Sequence, residues 1–297
     1  MSAEQEAGDS MRNLNEFTIT DAVLDRVRQA PGARTRQISE ALVRHLHAFT
    51  REVEPTQEEW GAGIDFLTRT GHKSDDKRQE FILLSDALGV SMLVDAINHR
   101  FPDGATETTV LGPFYMQAAP QLTLGSNISG KLEGKPLFVN GSVSTIDGAP
   151  VADATVDVWH ADGEGFYDVQ QIDQLGALAG RARFITGQDG RFHFWTVRPA
   201  AYPIPQDGPV GQMLDAQGRH PFRPAHVHFM IAAPGYETLI THVFADGDEY
   251  LDSDVVFGVK DSITSPYVEK PAGTAPDGTE MSNPYAWLHY NFRLKGK

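Results

Sequence analysis

A chain of 297 residues with 40% apolar residues and a formal charge of −15 has the material for a packed core and repels nucleic-acid phosphates. It has no cysteine, which excludes disulfides, thiolate zinc and iron–sulfur sites and leaves only nitrogen and oxygen donors for a metal. No apolar run approaches the ~18 residues of a membrane span, and Met1-Ser2-Ala3-Glu4-Gln5-Glu6 lacks the basic and apolar parts of a secretion signal, so a cytoplasmic protein with a mobile first dozen residues is expected.

Helix-period segments come first, at about 20–30, 34–53, 57–70 and 77–99. In the second, Ile38, Leu42, His45/Leu46, Phe49 and Val53 recur at steps of three and four. His45 and His47 lie two apart on that helix and diverge, which makes them surface and packing histidines. Thr56-Gln57-Glu58-Glu59 matches a capping box that opens the third helix. The segment Phe81 to Ile97 is apolar on two faces, Phe81, Leu84 and Leu88 on one, and Leu83, Ala87, Val90, Val94 and Ile97 on another. Both need cover, either from neighbouring helices and the sheet or from a second subunit.

Past residue 105 the period changes. Ala154 to His160, Arg183-Phe184-Ile185-Thr186 and Arg191-Phe192-His193-Phe194-Trp195 read as strands, with turns at Asp147-Gly148 and Asp189-Gly190. The expected class is α+β, with a helical domain over residues 1–105 and a mixed or antiparallel β-sandwich over 106–297.

The strand Arg223-Pro224-Ala225-His226-Val227-His228-Phe229-Met230-Ile231 carries the chemistry. Alternation sends Val227, Phe229 and Ile231 to a core face and His226 and His228 together out of the other, where two imidazoles can chelate a metal. A histidine pair in a sheet also serves as a hydrogen-bonded structural feature. Tyr167 follows a strand within Gly165-Phe166-Tyr167-Asp168, and Tyr202 lies in Ala201-Tyr202-Pro203-Ile204-Pro205, where prolines rule out a central strand or helix. Singly, each tyrosine reads as an amphipathic packing residue.

Together, Tyr167, Tyr202, His226 and His228 in this order, with Leu111-Gly112-Pro113-Phe114-Tyr115 and Asp207-Gly208-Pro209, resemble the intradiol ring-cleaving dioxygenases over nearly the whole chain. Phe81-Ile82-Leu83-Leu84-Ser85-Asp86, Thr241-His242-Val243-Phe244 and Tyr250-Leu251-Asp252-Ser253-Asp254 look most like the hydroxyquinol-cleaving branch; catechol-specific members usually carry glutamine at the position of His242. The resemblance implies Fe(3+) held by Tyr167, Tyr202, His226 and His228, with Tyr202 the ligand that leaves and takes a substrate proton. It implies ring opening of a small aromatic diol or triol by O2. Arg223, three residues before His226, is the candidate for stabilising the negative charge that develops, and otherwise reads as a structural salt bridge to one of the forty acidic residues. Leu83, Asp86, Val110, Leu111, Gly112 and Phe114 are expected to wall the substrate pocket, with Asp86 or His242 available to a third hydroxyl. A homodimer through the N-terminal helices, with a phospholipid between them, is implied as well. His160, His193, His220 and His289 match no ligand role and read as structural or surface residues. The alternatives are a catechol or chlorocatechol enzyme with the same iron chemistry and, from another class, a non-catalytic β-sandwich that binds a ligand.

Overall fold

The computed structural model describes residues 12–75, 78–100, 104–117 and 119–297. The opening residues, expected to be mobile and to carry no signal, lie outside them. Among the described residues five helices precede the first strand: α1 (Ile19–Val27), α2 (Ala33–Val53), α3 (Gln57–Lys73), α4 (Glu80–Ala87) and α5 (Val90–Asn98). By compactness the chain divides into Met1–Thr68 and Arg69–Lys297. This division differs from one at residue 105, because α4 is tied into the strand-bearing unit: Leu83 and Ala87 share a buried cluster with Ile204, Val210, Leu214, Val255 and Val256.

In the first unit α1 packs on α2, and His47 Nδ1 lies 2.9 Å from the Thr20 hydroxyl while His45 is exposed, in line with surface and packing roles. The capping box forms as expected: Glu59 Oε2 accepts the Thr56 N–H at 2.7 Å, and the Thr56 hydroxyl accepts the Glu59 N–H at 3.2 Å. The α2 stripe stays uncovered in the single chain, with Ile38, Leu42, Leu46, Phe49 and Val53 each 52–60% exposed.

The helix expected over 77–99 is two helices. Gly89 takes a left-handed φ of +72°, which stops α4 after Leu88 and lets α5 start in a new direction. Of the two apolar faces, Leu83 and Ala87 are buried, while Phe81, Leu88, Val90, Val94 and Ile97 remain exposed, with no cover among the described residues.

The strands are β1 (Pro136–Thr145), β2 (Thr155–His160), β3 (Arg181–Ile185), β4 (Arg191–Val197), β5 (Tyr202–Pro203), β6 (Phe222–Arg223), β7 (His226–Ala232), β8 (Leu239–Ala245), β9 (Thr264–Ser265), β10 (Val268–Lys270), β11 (Gly273–Thr274), β12 (Glu280–Met281) and β13 (Tyr285–Leu294). Short helices α6 (Ile172–Leu175) and α7 (Pro209–Ala216) interrupt them. One sheet has the order β10-β13-β1-β4 and the other β3-β2-β7-β8-β9; β5 pairs with β6, and β11 with β12. Parallel pairings of β1 with β13 and of β8 with β9 make both large sheets mixed. Their facing sides interdigitate Leu137, Val139, Phe192 and Phe194 with Val158, Val227, Phe229 and Ile231 in one core.

An ion network fixes the segment after β5 to α4. The Glu80 carboxylate, wholly buried, accepts from Arg78 at 2.8 Å and from the Val210 N–H at 3.2 Å, while Asp207 receives Lys73 at 2.8 Å and Arg78 at 2.5 Å. The hydrogen bonds from Lys73 and Arg78 pull the Asp207 carboxyl down to about 2. A carboxyl with a depressed folded pKa stabilises the fold above its unfolded value and loses that effect as pH falls through the folded value. Thermal melts of the wild type and Asp207→Asn should therefore differ most above about pH 4, and the difference should vanish near pH 2.

Candidate metal centre

The site is built on the outer face of the five-stranded sheet. In β7 the core takes Val227, Phe229 and Ile231, which leaves His226 and His228 on the other side. Register adds two neighbours, since His228 pairs with His242 of β8 and with Trp159 of β2. The Trp159 ring stacks on His228 with centroids 4.6 Å apart and planes 14° from parallel.

Tyr167 reaches this face from the loop after β2. Asp162 accepts the N–H groups of Glu164 and Phe166, both at 2.9 Å, and folds that loop back on itself. Behind Tyr167, Asp168 and Arg181 form a buried ion pair in which Arg181 Nε donates to Asp168 at 2.7 Å. Arg181 Nη1 also donates to the Phe114 carbonyl at 2.9 Å, and the Phe114 ring stacks on Tyr167 at 4.2 Å. One arginine thus sets a tyrosine and the segment that covers it. Tyr202 arrives on β5, held by its pairing with Arg223 of β6.

Four donor atoms converge. Tyr167 Oη lies 2.9 Å from His228 Nε2, 3.5 Å from His226 Nε2 and 3.4 Å from Tyr202 Oη, and the two Nε2 atoms are 3.1 Å apart. Donors that each stand about 2.1 Å from one ion are separated by roughly 3.0–3.6 Å at angles of 90–120°, so these distances suit a shared cation. The tautomer suits one too. His226 Nδ1 donates to the Pro224 carbonyl at 2.8 Å, which leaves a lone pair on Nε2 of the neutral ring.

Every imidazole here is held neutral. Burial, with the nearby Arg223 charge, pushes His226 down to about 3, and burial with the His226 and Arg223 charges holds His228 well below its ordinary range. Burial also pushes the Tyr167 phenol well above its ordinary value. Ionising that phenol in this site calls for a cation beside it.

Among the described residues, His226, His228 and His242 form the buried histidine group whose ligand atoms lie within 4.8 Å of one another. His242 is wholly buried with its centroid 4.2 Å from that of His228, and neither ring nitrogen makes a hydrogen bond of normal geometry, although the Val110 backbone faces it. Burial and the neighbouring histidines keep it neutral.

The other expected site residues divide. Asp86, Val110, Leu111 and Gly112 line one cavity of about 530 Å³ with Ile82 and Val94. Phe114 instead sits on Tyr167, and Leu83 packs with Val255 and Val256. Burial raises the Asp86 carboxyl, while Ser91 and the charge of Arg223 act against the rise. Arg223 itself is buried, with Nη1 3.5 Å from His226 Nε2. Sequence reasoning missed the partner of that arginine, Asp254, which takes Arg223 Nε at 3.1 Å and Nη2 at 3.2 Å. It also missed Trp159 and the Asp168–Arg181 pair; the stretch from Trp159 to Asp168 was readable, but nothing in it points to a partner at residue 181.

Comparison with known proteins identifies the family. A family model described as "Dioxygenase" matches residues 110–296, and one described as "Catechol dioxygenase N terminus" matches residues 32–106. The chain belongs to the intradiol dioxygenase family. Among its relatives, a protein of Nocardioides simplex named hydroxyquinol 1,2-dioxygenase is 47% identical over 99% of this chain and 98% of its own. A 6-chlorohydroxyquinol 1,2-dioxygenase of Cupriavidus pinatubonensis is 54% identical over 89% of this chain and 95% of its own. The solved structure of a hydroxyquinol 1,2-dioxygenase from Pseudomonas putida superposes with a TM-score of 0.89 at 49% identity, covering 95% of this chain and 99% of the other. Membership of this family implies non-haem iron, and the two phenols and neutral imidazoles are a donor set that fits it.

The loop over β7 leaves no room at Gly112. Its φ is +76°, and an added Cβ would stand 3.0 Å from His228 Cε1. Gly112→Ala should displace the His228 ring and lower iron affinity about 10–100-fold, read as metal content after dialysis against a graded chelator.

Proposed function

We propose that this chain holds iron(III) through Tyr167, Tyr202, His226 and His228 and uses dioxygen to open the ring of hydroxyquinol, 1,2,4-trihydroxybenzene, between its two adjacent hydroxyl-bearing carbons. The product is 3-hydroxymuconate, the enol form of maleylacetate, with both oxygen atoms retained, a step of aromatic degradation. The single observation that carries the reading is the convergence of two phenol oxygens and two imidazole Nε2 atoms at 2.9–3.5 Å on a buried face. The names of the relatives support the substrate.

Iron bound there would supply a Lewis acid that takes two adjacent hydroxyls as a dianion and makes the ring reactive toward dioxygen. The residues do the rest. Of the two substrate protons, one would pass to a hydroxide ion and leave as water, and the other to the phenolate oxygen of Tyr202, the less buried of the two tyrosines at 6% exposure against 0% for Tyr167. Tyr167, wedged between Phe114, Tyr202 and His228, stays in place. Arg223 Nη1 faces the donor atoms and meets negative charge as it develops on the ring. In this reading Asp86, Val110, Leu111 and Gly112, which line the cavity, wall the pocket, Phe114 bears on it through Tyr167 and Leu83 through its packing on Val255 and Val256, and the Asp86 carboxyl or a His242 ring nitrogen takes the third hydroxyl. Catechol would leave those groups unpaired in a dry site, which is the basis of selection against it.

The helices of residues 1–105 serve a homodimer in this reading, with phospholipid as cover for any apolar surface the partner leaves. The support is that each unit carries exposed apolar residues on its helices, Leu42 and Phe49 in the first and Leu88, Val94 and Ile97 in the second. Among the described residues no helix is long and apolar enough to cross a membrane, and we assign the enzyme to the cytoplasm.

Initial oxygen uptake by iron-loaded protein, corrected for spontaneous oxidation, should strongly favour hydroxyquinol over catechol and give maleylacetate. Preference for catechol would keep the chemistry and overturn the substrate. Tyr167→Phe or Tyr202→Phe should weaken the visible tyrosinate-to-iron band while the fold is retained, and an unchanged band would remove that ligand. Asp86→Ala should lower the hydroxyquinol-to-catechol ratio of kcat/KM by about tenfold or more, the worth of one lost polar contact; an unchanged ratio excludes Asp86 as the selector.

A further inference from the structure

Arg223 has its three guanidinium nitrogens in unequal surroundings. Nε and Nη2 donate to the two oxygens of Asp254 at 3.1 and 3.2 Å, whereas Nη1 points away from that carboxylate and lies 3.5 Å from His226 Nε2. Both side chains are almost fully buried, at 3% and 2% exposure, and the Phe244 ring lies 5.9 Å below the guanidinium carbon. Asp254 is itself pinned, with Oδ2 accepting the Gly258 N–H at 2.8 Å and Oδ1 the Val256 N–H at 3.4 Å. A two-point fork between a planar guanidinium and a carboxylate fixed to backbone leaves the cation no freedom to rotate.

We infer that Asp254 is the positioning residue for Arg223: it occupies two nitrogens so that Nη1 alone is presented to the donor atoms, at a fixed place relative to the reacting ring. The meaning of that place rests on the proposed ring-cleaving function; the geometry of the fork does not. A buried ion pair adds little net stability over apolar side chains of the same size, so stability alone does not account for putting one beside the site. What the pair supplies is a direction. A lysine would balance the same carboxylate, but it would present no second, fixed donor to the site.

The test is a double-variant cycle on the iron-loaded enzyme, using Asp254→Asn, Arg223→Gln and the two combined. Each single variant should lower kcat about 10²-fold, with the anaerobic Kd for hydroxyquinol and the iron content changed only a few-fold. The combined variant should lose no more than Arg223→Gln alone, because a residue that acts through another has nothing left to act on. Losses that multiply would overturn the inference. Asp254→Glu keeps the charge, avoids an unpaired buried cation if Asp254→Asn folds poorly, and moves the guanidinium by about one methylene; kcat should fall at least about tenfold, and wild-type kcat in this variant would overturn the inference. Crystal structures of the variants give a readout that needs no turnover. Nη1 should leave His226 in Asp254→Asn, and an unmoved guanidinium would also overturn the inference. Wild-type protein that consumes no oxygen with either substrate would instead sink the proposed function and leave the structural arm standing.

Discussion

The pleat of β7 is the constraint on which both core and site depend. Val227, Phe229 and Ile231 are each 0% exposed in the core between the sheets, which locks the register of the strand. With the register locked, His226 and His228 have one place to point. A slip of one residue would bury both imidazoles in an apolar core and turn Val227, Phe229 and Ile231 onto the polar face, so packing energy enforces the position of the donor atoms. The neighbours inherit the same discipline. His242 and Trp159 stand beside His228 because β8 and β2 pair with β7 in fixed register.

The tyrosines come from outside the sheet and need other fixtures. Tyr167 is next in sequence to Asp168, whose buried pair with Arg181 of β3 anchors the loop to the sheet edge. Tyr202 is placed by pairing with Arg223, and Arg223 in turn is held by Asp254. Two buried ion pairs therefore flank the four donors. For Asp254, burial acts to raise the carboxyl, but the Arg223 charge and its hydrogen bonds outweigh it and keep the group ionised. Such pairs are poor sources of net stability and good sources of direction. Their placement beside loop-borne ligands, where no strand register is available, follows that division of labour.

Much of this was legible in the chain because it rests on local periodicity. The alternation of Val227, His228 and Phe229 reports which face is core, and the prolines around Tyr202 report an edge segment, found as the two-residue β5. The break between α4 and α5 was legible as well and went unread. A glycine at 89 following an eight-residue apolar helix is the usual mark of a left-handed helix end, and the strong apolar content on both sides masked it. The Asp254–Arg223 and Arg181–Asp168 pairs are another matter. Each spans 31 or 13 residues, and forty acidic residues offer each arginine many partners until the fold selects one. Among the described residues the apolar faces of α2, α4 and α5 stay exposed, so periodicity signals a need for cover without naming what meets it.

Charge ties these parts together. In the folded chain the imidazoles of His226, His228 and His242 are driven neutral and the Tyr167 phenol is kept protonated, all by the same burial. Arg223 with Asp254 and Arg181 with Asp168 are pairs that cancel internally. The two phenols are the donor groups that can supply negative charge when a cation enters. Burial that penalises every isolated charge thereby favours a cation and phenolates arriving together, which no single ligand could arrange alone. The fold that hides the donors from water is also what makes them selective for a cation strong enough to ionise a buried phenol.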